Sequence, residues 1–226
     1  MSFMVLIFDL DDTLYEERTF VLSGFRAVSA VLSRIVDVND DLVFNRLIDT
    51  LDQQGRGKIF DTVLSSFGIT DDLTVQRCVT VYKNHIPIIS LFPGVSEMLT
   101  DMKCRDLYLV TDGDPLVQDR KIKALEITQF FQGIYTTWSY GRNAGKPSLD
   151  CFHKIAAQEN CALSDLTYVG DDPNKDFVSL RAHGATTIRV HTGRFKATKA
   201  MEGFDAEFHL PHVTSLPLFL DGTVTY

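Results

Sequence analysis

The chain has no run of lysine or arginine, and 30 acidic residues outnumber 22 basic ones, for a formal charge of −8 over 226 residues. Nucleic acids and anionic membranes are gripped by clustered cations, so neither is expected as a main partner. No uninterrupted apolar stretch approaches the ~18 residues that span a bilayer, and the N-terminus lacks a basic segment followed by a small-residue cleavage site. A cytoplasmic protein is expected. Cysteine is scarce as well. Cys78, Cys104, Cys151 and Cys161 show no CxxC spacing, which reads as reduced thiols rather than a disulfide or zinc framework. Repeats and low-complexity tracts are missing. What remains is an ordinary globular composition, 45% apolar and 23% charged, sufficient for a full core.

Against that background one stretch stands out. Met4 to Phe8 is a short apolar run, suited to a parallel strand buried on both faces. It ends abruptly in Asp9, Asp11, Asp12 and Thr13. Alone, Asp9 and Asp11 could equally be solvated loop carboxylates that cap the next helix. Unpaired carboxylates beside a buried strand, however, cost several kcal/mol, roughly, unless a cation or hydrogen bonds compensate them.

Downstream, Val21, Phe25, Val28, Leu32 and Ile35 form a helical stripe over about Glu16 to Val36. Asn39 or Asp40 caps a second helix with Phe44, Leu47, Ile48 and Leu51 on its apolar face. Gly55 to Lys58 interrupts, Ile59 to Phe67 is a third helix stopped by Gly68, and Asp71 or Asp72 opens a fourth carrying Val75, Val79, Tyr82 and Ile86. Roughly seventy residues thus hold helices and no strand, too many for a simple crossover. The expected organisation is a core of residues 1–14 and 88–226 with an inserted helical domain over 15–87. From Leu91 onward strands and helices alternate. Strands are expected at Leu107–Val110, Ile134–Trp138, Leu166–Val169, Thr186–Val190 and Ala206–Leu210, with a closing helical turn at Leu216–Leu220. Asp114-Pro115 caps and starts the helix after the second strand. The fold class is therefore α/β, a Rossmann-like, doubly wound parallel sheet with an all-helical insertion.

Three strand ends carry one chemical theme: Asp9 and Asp11, then Thr111 and Asp112, then Asp171, Asp172 and Asp176. Lys146 sits in a glycine-flanked loop before the helix that precedes the fourth strand. In a parallel sheet such ends face one way, so these groups can converge. Carboxylates from two strands make a hard oxygen site suited to Mg²⁺, and a hydroxyl with a lysine suits a bound phosphate.

The ordered set resembles the haloacid dehalogenase superfamily, in the branch with a helical cap inserted after the first motif. Asp9-Leu-Asp-Asp-Thr13 matches the DxDxT motif, Thr111 the second, Gly145-Lys146-Pro147 the third, and Gly170-Asp171-Asp172 with Asp176 the fourth. The resemblance implies a Mg²⁺-dependent phosphatase acting on a small phosphorylated metabolite through an aspartyl-phosphate. Asp9 is then the nucleophile and Asp11 the general acid and base, pushed toward keeping its proton. Thr111 and Lys146 hold the phosphoryl oxygens together with backbone N–H groups of Leu10, Asp11 and Asp112. The metal takes oxygens from Asp9, the Asp11 carbonyl and Asp171. Asp172 or Asp176 binds through water or fixes Lys146, and Thr13 orients Asp11. Within the family, a retained Asp11 favours ester hydrolysis, with a phosphosugar mutase as the alternative. A phosphoacceptor signalling module is the rival from another class, but it carries its acceptor on a middle strand and lacks a helical insertion. The cap would exclude water and read the substrate. Arg56 and Lys58 are the candidate specificity cations there, with Arg142 in the loop before Lys146. The oligomeric state, monomer or dimer, is left open by the sequence.

Overall fold

Strand β1 (Val5–Phe8) lies in the middle of a six-stranded parallel sheet in the computed structural model, which describes residues 5–223. Met4, the expected first residue of that strand, lies outside the described residues. The other strands are β2 (Leu107–Thr111), β3 (Gly133–Thr136), β4 (Leu166–Gly170), β5 (Thr186–Val190) and β6 (Phe208–Leu210). Their order is β3-β2-β1-β4-β5-β6, with Phe8 in register with both Leu109 and Val169. The chain winds outward from β1 through β2 to β3, then returns to β1's other side with β4. That reversal is the switch point outside which open α/β sheets bind ligands. All four residues of β1 are buried, which is why the run is continuously apolar rather than alternating. The third expected strand stops at Thr136, because Trp138 belongs to a 3-10 turn over Thr137–Tyr140.

The chain divides into two compact units, Met1–Glu17 with Ser90–Tyr226, and Arg18–Ile89. In the second, α1 (Glu17–Val36) buries Val21, Phe25, Val28 and Leu32 against α2 (Asp40–Gln54), α3 (Ile59–Ser65) and α4 (Asp72–Asn84). With 20 residues, α1 is long and apolar enough to cross a membrane by length and composition alone, but Arg18, Arg26 and Arg34 interrupt its apolar residues. Its apolar stripe is spent on this helical core. The Asn39 side chain accepts from Asp41 N and the Asp71 side chain from Thr74 N, so α2 and α4 start at capped positions. Two expected faces shift by a residue. In α2 the fully buried pair is Val43 and Leu47, while Phe44, Ile48 and Leu51 are partly covered. On α4, Cys78 is the buried centre, Val79 is 36% exposed, and Ile86, past the helix end, is 87% exposed.

In the first unit the sheet is covered by α5 (Val95–Asp101), α6 (Pro115–Ala124), α7 (Asp150–Gln158), α8 (Val178–Ala182) and α9 (Leu216–Leu220). One face packs Val5, Ile7, Val110, Tyr168 and Leu166 on Phe152, Ile155, Phe177 and Leu180. Within β5, Arg189 is fully buried and its guanidinium donates to the carbonyls of Phe195 and Thr198 at 2.8 and 2.7 Å. This ties the loop after β5 into place. Asp12 fastens the loop's near end. Its carbonyl accepts from Thr192 Oγ1, its Oδ2 accepts from Arg194 N at 3.2 Å, and its Oδ1 accepts from Glu17 N at 2.9 Å. Gly193, at φ +59°, is required here because a Cβ would lie 2.0 Å from Asp12 Cγ.

Candidate active site

The polar residues gather beyond the carboxyl ends of β1, β2 and β4. Asp9 follows β1 directly, and its N–H donates to the Val169 carbonyl at 2.8 Å. Its carboxylate is almost wholly buried. Lys146 Nζ stands 2.9 Å from Asp9 Oδ1, 2.8 Å from Asp176 Oδ1 and 2.8 Å from the Tyr168 hydroxyl. The ammonium is therefore surrounded by oxygen, and although burial lowers its pKa, Asp176 and Asp9 raise it well above the usual lysine value. Gly170 makes room for this group, since a Cβ there would meet Asp176 Oδ2 at 2.5 Å.

One lysine is not enough for the carboxylates present. Ligand oxygens of Asp9, Asp171 and Asp176 lie within 4.8 Å of one another. Burial, opposed by Lys146 and reinforced by Asp176, pushes the Asp9 carboxyl up to about 7. Burial with the neighbouring Asp176 and Asp9 charges pushes Asp171 up to about 10. Asp171 Oδ2 is buried and accepts no hydrogen bond among the described residues. An orphaned carboxylate oxygen facing further carboxylates is the arrangement a hard divalent cation would satisfy. Asp9 and Asp171 fit that requirement. Asp176 is already engaged, with Oδ1 on Lys146 and Oδ2 accepting from Asp172 N at 2.9 Å. Asp172 turns back on its own loop and accepts from Asn174 N and Nδ2 at 3.0 and 2.8 Å.

Asp11 has separate neighbours. Lys121 Nζ lies 2.7 and 2.9 Å from its two carboxylate oxygens, Gln118 Nε2 donates to Oδ2 at 3.1 Å, and the Tyr15 hydroxyl donates to Oδ1. Burial pushes this carboxyl up, but Lys121 and the hydrogen bonds outweigh it and hold the group below its ordinary value. The expectation that Asp11 is pushed toward keeping its proton is thus corrected by a lysine that the motif does not contain. Thr13 is likewise corrected. Its hydroxyl is buried without a hydrogen-bond partner, and Asp11 is oriented by Tyr15, Gln118 and Lys121 instead.

The second strand end is pinned in the same way. Asp112 accepts from Thr137 Oγ1 at 2.8 Å, from Lys146 N at 3.1 Å and from Lys175 Nζ at 2.7 Å. Thr111 is buried, and its Oγ1 accepts from Gln118 Nε2. Between these groups opens a cavity of about 130 Å³ lined by Asp9, Asp11, Asp171 and Asp172 together with Lys175 and Arg194.

The profile of the family described as haloacid dehalogenase-like hydrolase matches residues 6–190. The chain belongs to that family. Among curated relatives, the glyceraldehyde 3-phosphate phosphatase of Methanocaldococcus jannaschii is 28% identical over 198 residues, covering 84% of this chain and 86% of the relative. The enzyme of the same name from Methanopyrus kandleri is 24% identical over 200 residues, 84% of this chain and 85% of the relative. The fold is shared with the magnesium-bound HAD-hydrolase YfnB of Bacillus subtilis, at a TM-score of 0.70 and 16% identity over 98% of this chain and 100% of that one. It is also shared with the 2-haloacid dehalogenase of Pseudomonas syringae, at a TM-score of 0.65 and 19% identity over 98% and 99%.

In this haloacid dehalogenase-like hydrolase the motif residues Asp9, Asp11, Thr111, Lys146, Asp171 and Asp176 gather with Asp112 at the strand ends, and Leu10 is buried between the first two. Of the candidate specificity cations, Arg142 alone shares a unit with these residues. Arg142 is exposed on a 3-10 turn and does not line the cavity. Arg56 and Lys58 belong to the helical unit, where Arg56 lines a separate cavity of about 250 Å³ with Phe25, Phe60 and Tyr82. Sequence reading missed Lys121, Gln118, Lys175 and Arg194. A signal existed for two of them. Gln118 and Lys121 fall three apart on α6, the spacing of one helix face, and that face also carries Ile122 against the sheet.

Proposed function

We propose that the protein is a Mg²⁺-dependent phosphatase that hydrolyses a small phosphorylated metabolite, most simply a phosphosugar, in the cytoplasm. The observation that carries this reading is Asp9 at the switch point of the sheet, with Lys146 on one oxygen and the unsatisfied Asp171 carboxylate beside it. The relatives named glyceraldehyde 3-phosphate phosphatase support the substrate class, since each is matched over 84% of this chain.

Asp9 attacks phosphorus and forms an aspartyl-phosphate, which divides one difficult hydrolysis into two easier displacements. Lys146 sets the direction of the Asp9 carboxylate and presents positive charge to the phosphoryl oxygens, aided by Thr111 and by backbone N–H groups of Leu10, Asp11 and Asp112. As the bond from phosphorus to the alcohol oxygen breaks, Asp11 gives that oxygen a proton, and it takes one back from the water that then cleaves the aspartyl-phosphate and regenerates Asp9. Asp176 holds Lys146, and Asp172 shapes the loop that carries Asp171. Asp9, the Asp11 carbonyl and Asp171 would hold Mg²⁺, which supplies the charge that offsets clustered carboxylates and phosphate. The helical unit, as the cap, excludes bulk water and contributes substrate contacts through Arg56 and Lys58.

Purified protein with Mg²⁺ should release inorganic phosphate from members of a panel of phosphorylated metabolites that includes glyceraldehyde 3-phosphate. Asp9→Asn should release none. Silence across the panel and on an aryl phosphate would overturn the reading, and isomerised rather than dephosphorylated sugar would convert it to a mutase.

A further inference from the structure

Helix α6 buries two polar side chains. Gln118 is 1% exposed and Lys121 is 4% exposed. Burying an ammonium costs several kcal/mol, roughly, unless it is paired. Lys121 lies 110 positions along the chain from Asp11 and contacts both of its carboxylate oxygens. Gln118 spans Asp11 Oδ2 and Thr111 Oγ1, joining the ends of β1 and β2 through one amide. The terminal torsion of a carboxylate is soft, so an Asp side chain at a strand end settles wherever its hydrogen bonds aim it. Each of the two leading carboxylates therefore meets a different lysine, Lys146 at Asp9 and Lys121 at Asp11.

We propose that Lys121, with Gln118, is the positioning pair for Asp11, fixing from helix α6 the carboxylate that exchanges protons during turnover. The inference rests on the assignment of Asp11 made above and adds residues that lie outside the four motifs. Lys121 touches Asp11 rather than the reacting phosphate, so its effect on rate passes through Asp11 and should vanish when Asp11 cannot act.

A double-mutant cycle in the full chain tests this. Lys121→Met is expected to lower kcat on an aryl phosphate about 10²-fold with KM nearly unchanged, the scale of loss for a misplaced catalytic group. Lys121→Arg should recover most of it, and Gln118→Leu should show a smaller loss of the same kind. Combined with Asp11→Asn, Lys121→Met should add nothing beyond the loss from Asp11→Asn alone, because residues acting as a unit are not additive. Losses that multiply, or a fully active Lys121→Met, would overturn the proposal. If Lys121→Met fails to fold, Gln118→Leu in the same cycle decides it. Asp9→Asn run in parallel separates the two levels. Turnover surviving in that variant sinks the phosphatase reading, whereas multiplying losses beside a dead Asp9→Asn sink this inference alone.

Discussion

Lys146 and Asp9, 137 positions apart in the chain, meet at 2.9 Å with almost no solvent around them. A salt bridge so buried is weak evidence of net stability, because desolvation offsets the attraction. Its value lies in direction. The ammonium takes one Asp9 oxygen and is itself held by Asp176 and Tyr168, so the other Asp9 oxygen is aimed rather than free. Asp9→Asn should abolish phosphate release while leaving the fold intact, as the amide keeps the shape and loses the nucleophile. Lys146→Met should lower kcat by about 10²–10³-fold, the usual cost of losing a charge-stabilising donor, and should also lower the melting temperature, since two buried carboxylates lose their counter-ion. Steady-state kinetics with circular dichroism melts check both, and near-normal turnover by Asp9→Asn would rule the covalent route out.

Metal removal gives a second test that does not depend on turnover. Asp171 Oδ2 accepts no hydrogen bond and its carboxyl is crowded by Asp176 and Asp9, so a bound divalent cation relieves a cost already present in the fold. EDTA should abolish phosphatase activity and excess Mg²⁺ should restore it. Mg²⁺ at 100 times its dissociation constant should stabilise the native state by about 2.7 kcal/mol. Asp171→Asn should erase that thermal shift. A melt indifferent to Mg²⁺ in the wild-type chain would remove the metal from the account.

The fold was legible where periodicity and punctuation agree. The apolar run into Asp9, the Asn39 and Asp71 caps and the Asp114-Pro115 start are local signals, and each element begins where its local chemistry places it. Helix faces were read less well. Cys78 rather than Val79 is the buried centre of α4, and Trp138 leaves β3 for a 3-10 turn, because tertiary packing chooses among neighbouring apolar residues. The convergence of Asp9, Lys146 and Asp171 was foreseeable, since parallel strands end on one side. The partners of Asp11 were less so, as Lys121 and Gln118 both reach it from α6, more than 100 positions along the chain. A lysine in a helix sequence reads as solvated surface until its burial is known.

Asp112 offers a pH test outside the proposed metal ligands. Burial alone would raise its carboxyl, but Lys146 and Lys175 outweigh that and hold it below the usual range. A carboxyl depressed in the native state contributes stability that is present above its unfolded value of ~3.9 and is lost as pH falls through the lower native value. Asp112→Asn removes this contribution. The variant should melt about 2–4 °C lower than wild type at pH 7, and the gap should narrow as pH falls from 5 toward 3. A gap that stays constant over that range would assign the loss to packing rather than to charge.

Substrate reading is the remaining question, and each unit has a cavity lined by an arginine. Arg194 lines the catalytic cavity, its backbone N–H on Asp12 and its guanidinium 4.5 Å from the Phe195 ring centroid. Arg56 lines the cavity of the helical unit, and Lys58 is exposed close by in the chain. A planar guanidinium at a cavity lined mostly by carboxylates suits a second anionic group on the substrate, such as a carboxylate. Arg194→Ala should therefore raise KM about 10-fold, equivalent to 1.4 kcal/mol, for a phosphorylated hydroxy acid, and much less for a neutral alkyl phosphate. Replacing Arg56 and Lys58 together by Ala should harm the physiological ester far more than an aryl phosphate, which needs few contacts beyond the phosphoryl group. Equal effects of Arg194→Ala on charged and neutral esters would leave that side chain a support of the loop after β5. Equal effects of the double variant would return Arg56 and Lys58 to solvated loop cations.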